Sequence, residues 1–215
     1  ASAKLPFLHR RYAFQLLRLH FYRSDPEGAL KFYDQHRAEF EGDGSVGWRA
    51  MGYTAGAQPR AKRPAEANWR YSVLFERCPA ARVSALLSFR PLEEADWNQA
   101  LQLARSEREK AVLWQMLGLT ADGPRAIREI LALDRKSDLL PLLVVREVNR
   151  AEVETLFGPE AQRQALLSRQ RPLLDLLDRA SERGDIADPY VWDLAAGHLH
   201  ALHGDLTIEV KVITT

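Results

Sequence analysis

The chain has 215 residues, of which 46% are hydrophobic and 27% charged, and a formal net charge of +1. These proportions exclude wholesale disorder. The balance of charge argues against a generic nucleic-acid binder or a membrane-surface protein, because both carry a basic excess or a clustered basic face. Cys78 is the single cysteine, so neither an intrachain disulfide nor a cysteine-based zinc cluster holds the fold. In the apolar run VLFERCP it reads as a small buried hydrophobe.

No apolar run approaches the roughly 20 residues of a membrane span, and the start, ASAKLPFLHRR, lacks the hydrophobic segment of a signal peptide. Residue 1 is not methionine. A removed targeting segment would leave the same sequence, so the compartment stays open between cytoplasmic and periplasmic or secreted.

In chain order, Leu8–Phe21 has apolar residues at Tyr12, Leu16 and Leu19 and at Ala13, Leu17 and Phe21, which is helical spacing. Ser24-Asp25-Pro26-Glu27 supplies a cap, a first-turn proline and an early acid, and predicts a second helix through ALKFYDQHRAEF. The run Glu41–Gly47 is the first loop. Helices follow over Val46–Gln58 and Pro64–Arg77, separated by Pro59 and the basic turn RAKRP, and Pro79 ends the second.

A shorter helix, Ala80–Phe89, is broken by Arg90-Pro91, and Glu93–Arg105 is its partner. Glu107–Leu119 and Pro124–Leu133 form the next pair around the turn TADGP. Leu139–Asn149 precedes a longer helix across Pro159–Arg183 that must absorb Pro172. A last helix, Pro189–Leu202, meets a glycine stop at Gly204. That amounts to about eleven helices with short connections and no strand before the final residues.

Ala29, Ala67, Ala100 and Ala126 each fall early in the second helix of a pair, at separations of 38, 33 and 26 residues. Three of them are followed four residues later by a large side chain, Tyr33, Tyr71 and Ile130. A small residue there lets two helices approach while its bulky neighbour fills the adjacent gap. With these spacings the chain resembles the tetratricopeptide repeat family, whose period is about 34 residues. Trp48–Pro79 matches the latter half of its pattern through Ala67, Tyr71 and Pro79, and Phe21–Tyr33 matches through Ala29 and Tyr33. Leu113–Ile130 matches loosely, and Asp188-Pro189 with Trp192, Ala195 and Ala196 resembles the start of another unit. Pro59 departs from the pattern where an aromatic is usual, and the loop 41–47 is an insertion.

The resemblance implies an all-α, right-handed superhelix, or solenoid, of antiparallel helix pairs over residues 1–205, followed by an extended tail or truncated repeat over 206–215. It further implies a concave face lined by the first helices, with Arg11, Phe14, Arg18 and Phe21 inward from the first unit, Arg49 and Arg60 from the second, and Arg108 and Gln115 from the fourth. An arginine-lined groove suits carboxylates, which the guanidinium fork holds through both oxygens. The expected ligand is an acidic or C-terminal peptide of a protein partner. Against this, exposed arginines commonly do no more than solvate a helix face, and the asparagines of the family's carboxylate-holding members are replaced here by Arg18, Gly56 and Gln115.

Other constellations weigh less. His198, His200, His203 and Asp205 are metal-ligand types, but only His200 and His203 share a helix face. The sequence contains no nucleophile elbow, phosphate loop, HExxH helix or dinucleotide fingerprint. Gly52–Ala57, GYTAGA, reads as small-residue helix packing. Glu93, Glu94 and Asp96 read as first-turn acids against a helix dipole. Arg60, Lys62 and Arg63 with Trp69 and Tyr71 fall short of a single-strand nucleic-acid site, since three charges in a turn are ordinary and the aromatics suit the core. The five tryptophans read as packing residues.

The tail GDLTIEVKVITT alternates β-branched and polar residues, which predicts a strand or extended segment and leaves the last helix to lean on a partner, on a second copy or on residues beyond the given sequence. The expectation is a non-catalytic scaffold or adaptor without a cofactor or bound metal, binding a peptide or partner protein, neither nucleic-acid-binding nor membrane-spanning, and self-associating through its C-terminal end. The alternatives are an accessory helical domain of an enzyme or transport assembly, and a metal-dependent enzyme using the C-terminal histidines.

Overall fold

First-turn prolines open five of the helices among the described residues, and two of those five also carry a side-chain N-cap. In a computed structural model that describes residues 5–42 and 44–204, Asp25 is the N-cap of α2 (Pro26–Gln35), accepting the Gly28 amide at 2.9 Å with Pro26 in the first turn. It follows α1 (Leu5–Tyr22). Then come α3 (Arg37–Phe40), α4 (Ser45–Ala57), α5 (Pro64–Arg77), α6 (Arg82–Ser88), α7 (Glu94–Leu103) and α8 (Glu107–Thr120). The remaining helices are α9 (Gly123–Leu133), α10 (Leu140–Phe157), α11 (Arg163–Arg183) and α12 (Pro189–His203). All regular structure among the described residues is helical, so the all-α expectation holds. The expected tail at 206–215 lies outside the described residues.

The chain divides into two compact units, Ala1–Met116 and Leu117–Thr215. In the first, α1, α2, α3 and α4 close over Phe14, Leu17, Ala29, Leu30, Tyr33, Phe40 and Ala50. The pairing continues from α4 to α5 and on to α6 and α7. Asn68, buried on α5, clamps the Arg90-Pro91 break by donating to the Arg90 carbonyl at 3.1 Å and accepting its amide at 2.9 Å. Trp97 and Trp114 meet edge to face at 4.8 Å. In the second unit, α10 packs against α9, α11 and α12 around Ile127, Ile130, Leu143, Val144, Leu174, Leu177, Trp192 and Leu199.

All four marker alanines are buried, at 2% exposure or less. A Cβ added at Gly118 would stand 2.8 Å from that of Ala126. The small-residue approach inferred from spacing is therefore tight at this contact.

Four differences from expectation have local causes. The helix expected through ALKFYDQHRAEF breaks at His36 (φ −109°, ψ 24°), whose ring stacks on Phe32 at 4.2 Å. The break turns Phe40 back onto Tyr33, with the rings parallel at 5.4 Å and Phe40 buried. The helix expected to stop at Asn149 runs on to Phe157, because Ala151 and Thr155 continue its buried face until Gly158-Pro159. The helix expected from Pro159 begins at Arg163 after a short 3-10 turn, passes through Pro172 and ends at Gly184 in the left-handed region (φ +67°). Cys78 is half-buried rather than buried, because it is the C-cap of α5, where the chain turns toward Pro79.

Candidate functional site

α1 (LPFLHRRYAFQLLRLHFY) contains no acidic residue. Its Ala13, Phe14 and Leu17 are driven into the core, and Phe14, Phe21 and Tyr22, at i, i+7 and i+8, bring a row of rings to the α4 side, where they meet Tyr53. Tyr53 stands edge-on to Phe14 at 5.7 Å, to Phe21 at 5.1 Å and to Tyr22 at 5.9 Å, and its hydroxyl is 3.0 Å from that of Tyr22. Edge-to-face geometry places the positive ring edges on the negative faces and makes the cluster cohesive. Gly56 allows its depth: a Cβ there would crowd Phe21 at 3.1 Å.

Three of the arginines expected from sequence converge on these rings. The Arg18 guanidinium lies 5.9, 5.7 and 5.8 Å from the centroids of Phe14, Tyr22 and Tyr53. Arg49 lies over Phe14 at 5.4 Å and Arg60 over Phe21 at 4.8 Å. Each is within the range of cation–π attraction. Arg18 donates to the Gln15 side chain at 3.0 Å, while its Nε is buried without a hydrogen-bond partner. The neighbouring Tyr53 and then Tyr22 hydroxyls hold the Arg18 pKa above its ordinary value, and Tyr53 followed by Arg18 pulls the Tyr22 phenol down.

The other expected residues are placed differently. Arg11 is exposed and lies over Phe7 at 4.3 Å. Phe14 is 5% exposed, so it is core that supports Arg18 and Arg49 rather than a ligand contact, and Phe21 is half-buried. Gln115 is 6% exposed within α8, a correction to its expected place on an open face, because α8 buries nearly every side of its middle turns. Arg108 donates to Glu76 on α5 at 2.7 Å. Tyr22 and Tyr53 are the participants that sequence reasoning passed over. The available signal was the i, i+4 placement of Tyr22 after Arg18, which puts that ring beside its guanidinium; Tyr53 meets Arg18 only through the packing of α4 on α1.

The remaining candidates disperse. His200 contacts Asp178 at 3.0 Å, His203 contacts the Gln170 side-chain oxygen at 3.2 Å and His198 approaches Glu152 at 3.5 Å, so the three imidazoles serve different neighbours. Burial lowers the His203 pKa. Asp205 lies outside the described residues, among which no group of three or more metal-ligating side chains converges. In the basic turn, Arg63 is paired with Glu66 at 2.6 Å, and Trp69 donates to Glu109 at 3.1 Å beside Arg70 and Arg105. No helix among the described residues is long and apolar enough to cross a membrane.

No protein-family model, curated protein or solved structure is significantly similar to this chain.

Proposed function

We propose that the protein is a non-catalytic binding module, its antiparallel helix pairs stacked in the manner of tetratricopeptide repeats, and that the α1–α4 face holds a carboxylate-bearing segment of a protein partner. The observation that carries this reading is the convergence of Arg18, Arg49 and Arg60 on the ring cluster of Phe14, Phe21, Tyr22 and Tyr53. A guanidinium stacked on a ring is pre-organised, and its in-plane N–H fork remains available to both oxygens of a carboxylate. Pre-organisation lowers the ordering cost that side chains impose on binding. The absence of acids from α1 keeps this face free of internal competitors on that helix.

The test uses fluorescein-labelled acidic octapeptides with a free or an amidated C-terminus, measured by anisotropy against the full chain. Binding should weaken with salt and fall at least about tenfold in Arg18→Glu and Arg49→Glu, the equivalent of roughly 1.4 kcal/mol. Arg18→Lys should recover part of the charge effect without the fork geometry. Affinity indifferent to all three substitutions, with helicity unchanged, refutes the reading.

A further inference from the structure

Helix α1 buries one side, through Ala13, Phe14 and Leu17, and leaves a regularly spaced seam on the other. Leu8 (44% exposed), Tyr12 (65%), Gln15, Leu19 (49%) and Tyr22 (64%) all stand in solvent. Their spacings are four, three, four and three residues, the alternation of a coiled-coil seam. At 3.6 residues per turn the five fall within about 40° of one line, which runs roughly 21 Å along the helix.

Arg11 and Arg18 immediately precede Tyr12 and Leu19, so they share one flank of the seam, seven residues apart. When two helices pair, charges at these flanking positions set the choice of partner and its orientation. The Arg11 guanidinium lies over Phe7 and that of Arg18 over Phe14, Tyr22 and Tyr53, and among the described residues neither is paired with a carboxylate. A second copy of α1 cannot supply one, because the helix contains no acid. Parallel self-pairing would set Arg18 against Arg23, and antiparallel self-pairing Arg11 against Arg18, so both oppose like charges. An anionic lipid surface is a poor match for a different reason. Gln15 occupies the middle of the seam, where a helix lying in a membrane interface carries an apolar side chain. A helix pair, by contrast, uses a lone polar residue in the seam to fix register. The complement of this face is a helix with apolar residues at the same alternation and carboxylates opposite Arg11 and Arg18.

We propose that α1 is the docking face for an acidic amphipathic helix of another protein, seated along Leu8, Tyr12, Gln15, Leu19 and Tyr22 with its carboxylates against Arg11 and Arg18. This rests on the carboxylate-binding reading of the same face and names the form of the segment bound. One helix contact of this length sits at the low end of specific interfaces, so the complex is weak and reversible.

The experiment titrates the full chain into fluorescein-labelled 21-residue peptides and follows anisotropy. The first peptide has three heptads with isoleucine at a, leucine at d and glutamate at e and g, which keeps it from pairing with itself. The second has the same composition in scrambled order, and the third carries lysine at e and g. The glutamate heptad peptide should bind at least about tenfold tighter than the other two and gain helical circular dichroism on binding. Tyr12→Asp and Leu19→Asp, both at exposed positions, should each weaken it at least about tenfold with the chain's own helicity kept. Arg11→Glu combined with Arg18→Glu should turn the preference toward the lysine peptide. Equal binding of the heptad and scrambled glutamate peptides, indifferent to Leu19→Asp, overturns the helical form and leaves the carboxylate reading, which the acidic octapeptides test by themselves. Failure of the glutamate heptad peptide to bind overturns the inference. Co-sedimentation with phosphatidylserine vesicles, lost in Leu19→Asp while that peptide stays unbound, overturns it in favour of a lipid surface.

Discussion

Replacing Gly118 with alanine sets two effects of known sign against each other. Gly118 lies in α8, and an alanine inside a helix is favoured over glycine by about 0.8–1 kcal/mol. The added methyl, however, would stand 2.8 Å from the Ala126 Cβ and 2.9 and 3.3 Å from the two Leu143 methyl carbons. Ordinary carbon contacts are about 3.5–4.0 Å, so α8 must withdraw from its neighbours by most of an ångström. Ala126 cannot yield by rotation, and Leu143 is fully buried. Overpacking of this kind costs typically 1–3 kcal/mol, so steric strain outweighs propensity and the variant is destabilised by about 1 kcal/mol.

Two other helical glycines are controls for the propensity term. A Cβ at Gly52 in α4 meets only Leu74 at 3.8 Å, and one at Gly197 in α12 meets nothing within 4 Å. Gly52→Ala and Gly197→Ala should each gain about 0.5–1 kcal/mol. Urea unfolding followed by circular dichroism at constant m-value resolves these differences. If Gly118→Ala gains as much as Gly197→Ala, the inference of a tight α8–α9–α10 contact is wrong.

Glu147 is 5% exposed and its Oε1 has no hydrogen-bond partner, and burial holds its carboxyl above the usual carboxylate range, with Arg150 opposing the shift. The folded state therefore binds this proton more tightly than the unfolded chain does. The cost is absent below the unfolded pKa, grows as pH rises and is complete above the folded pKa. Glu147→Gln should thus match the parent near pH 4 and exceed its stability at pH 7–8, and equal stability at both values would discount the desolvation argument. Asp122 caps α9 by accepting the Arg125 amide at 3.0 Å, so Asp122→Ala should cost about 1 kcal/mol in thermal unfolding. Asn68→Ala removes both bonds to Arg90 and should cost about 2 kcal/mol, with faster hydrogen exchange at the Arg90 amide as the local signature.

The candidate face was partly legible. Sequence reading names Arg18 and Arg49 on first helices and Arg60 in the turn that follows, and the three guanidinium groups lie over one set of rings. Gln115 could not be placed, because α8 buries residues on nearly all sides around its middle turns and its phase carries little information about exposure. Tyr53 was readable as a packing aromatic, but its contact with three rings of α1 depends on how closely α4 approaches, and Gly56 sets that distance. Helix α10, with Leu143 and Val144 buried and Leu142 and Val145 exposed, shows a complementary difficulty. Apolar residues on both faces look like one broad core signal until the neighbours reveal which face is covered.

Sequence alone determined the helical class and most of the helix boundaries. Asp25-Pro26, Pro64 and Pro189 open helices, and Gly184 and Gly204 close them by adopting the left-handed region, because caps, prolines and glycines act through backbone geometry within one turn. Tertiary structure decided the rest. Only packing broke the chain at His36 to bury Phe40, carried α10 on to Phe157, and stacked three arginines on one aromatic cluster. Those outcomes depend on contacts between residues tens of positions apart, such as Phe14 with Tyr53, whose separation is set by interhelical distance and not by any local preference of the chain.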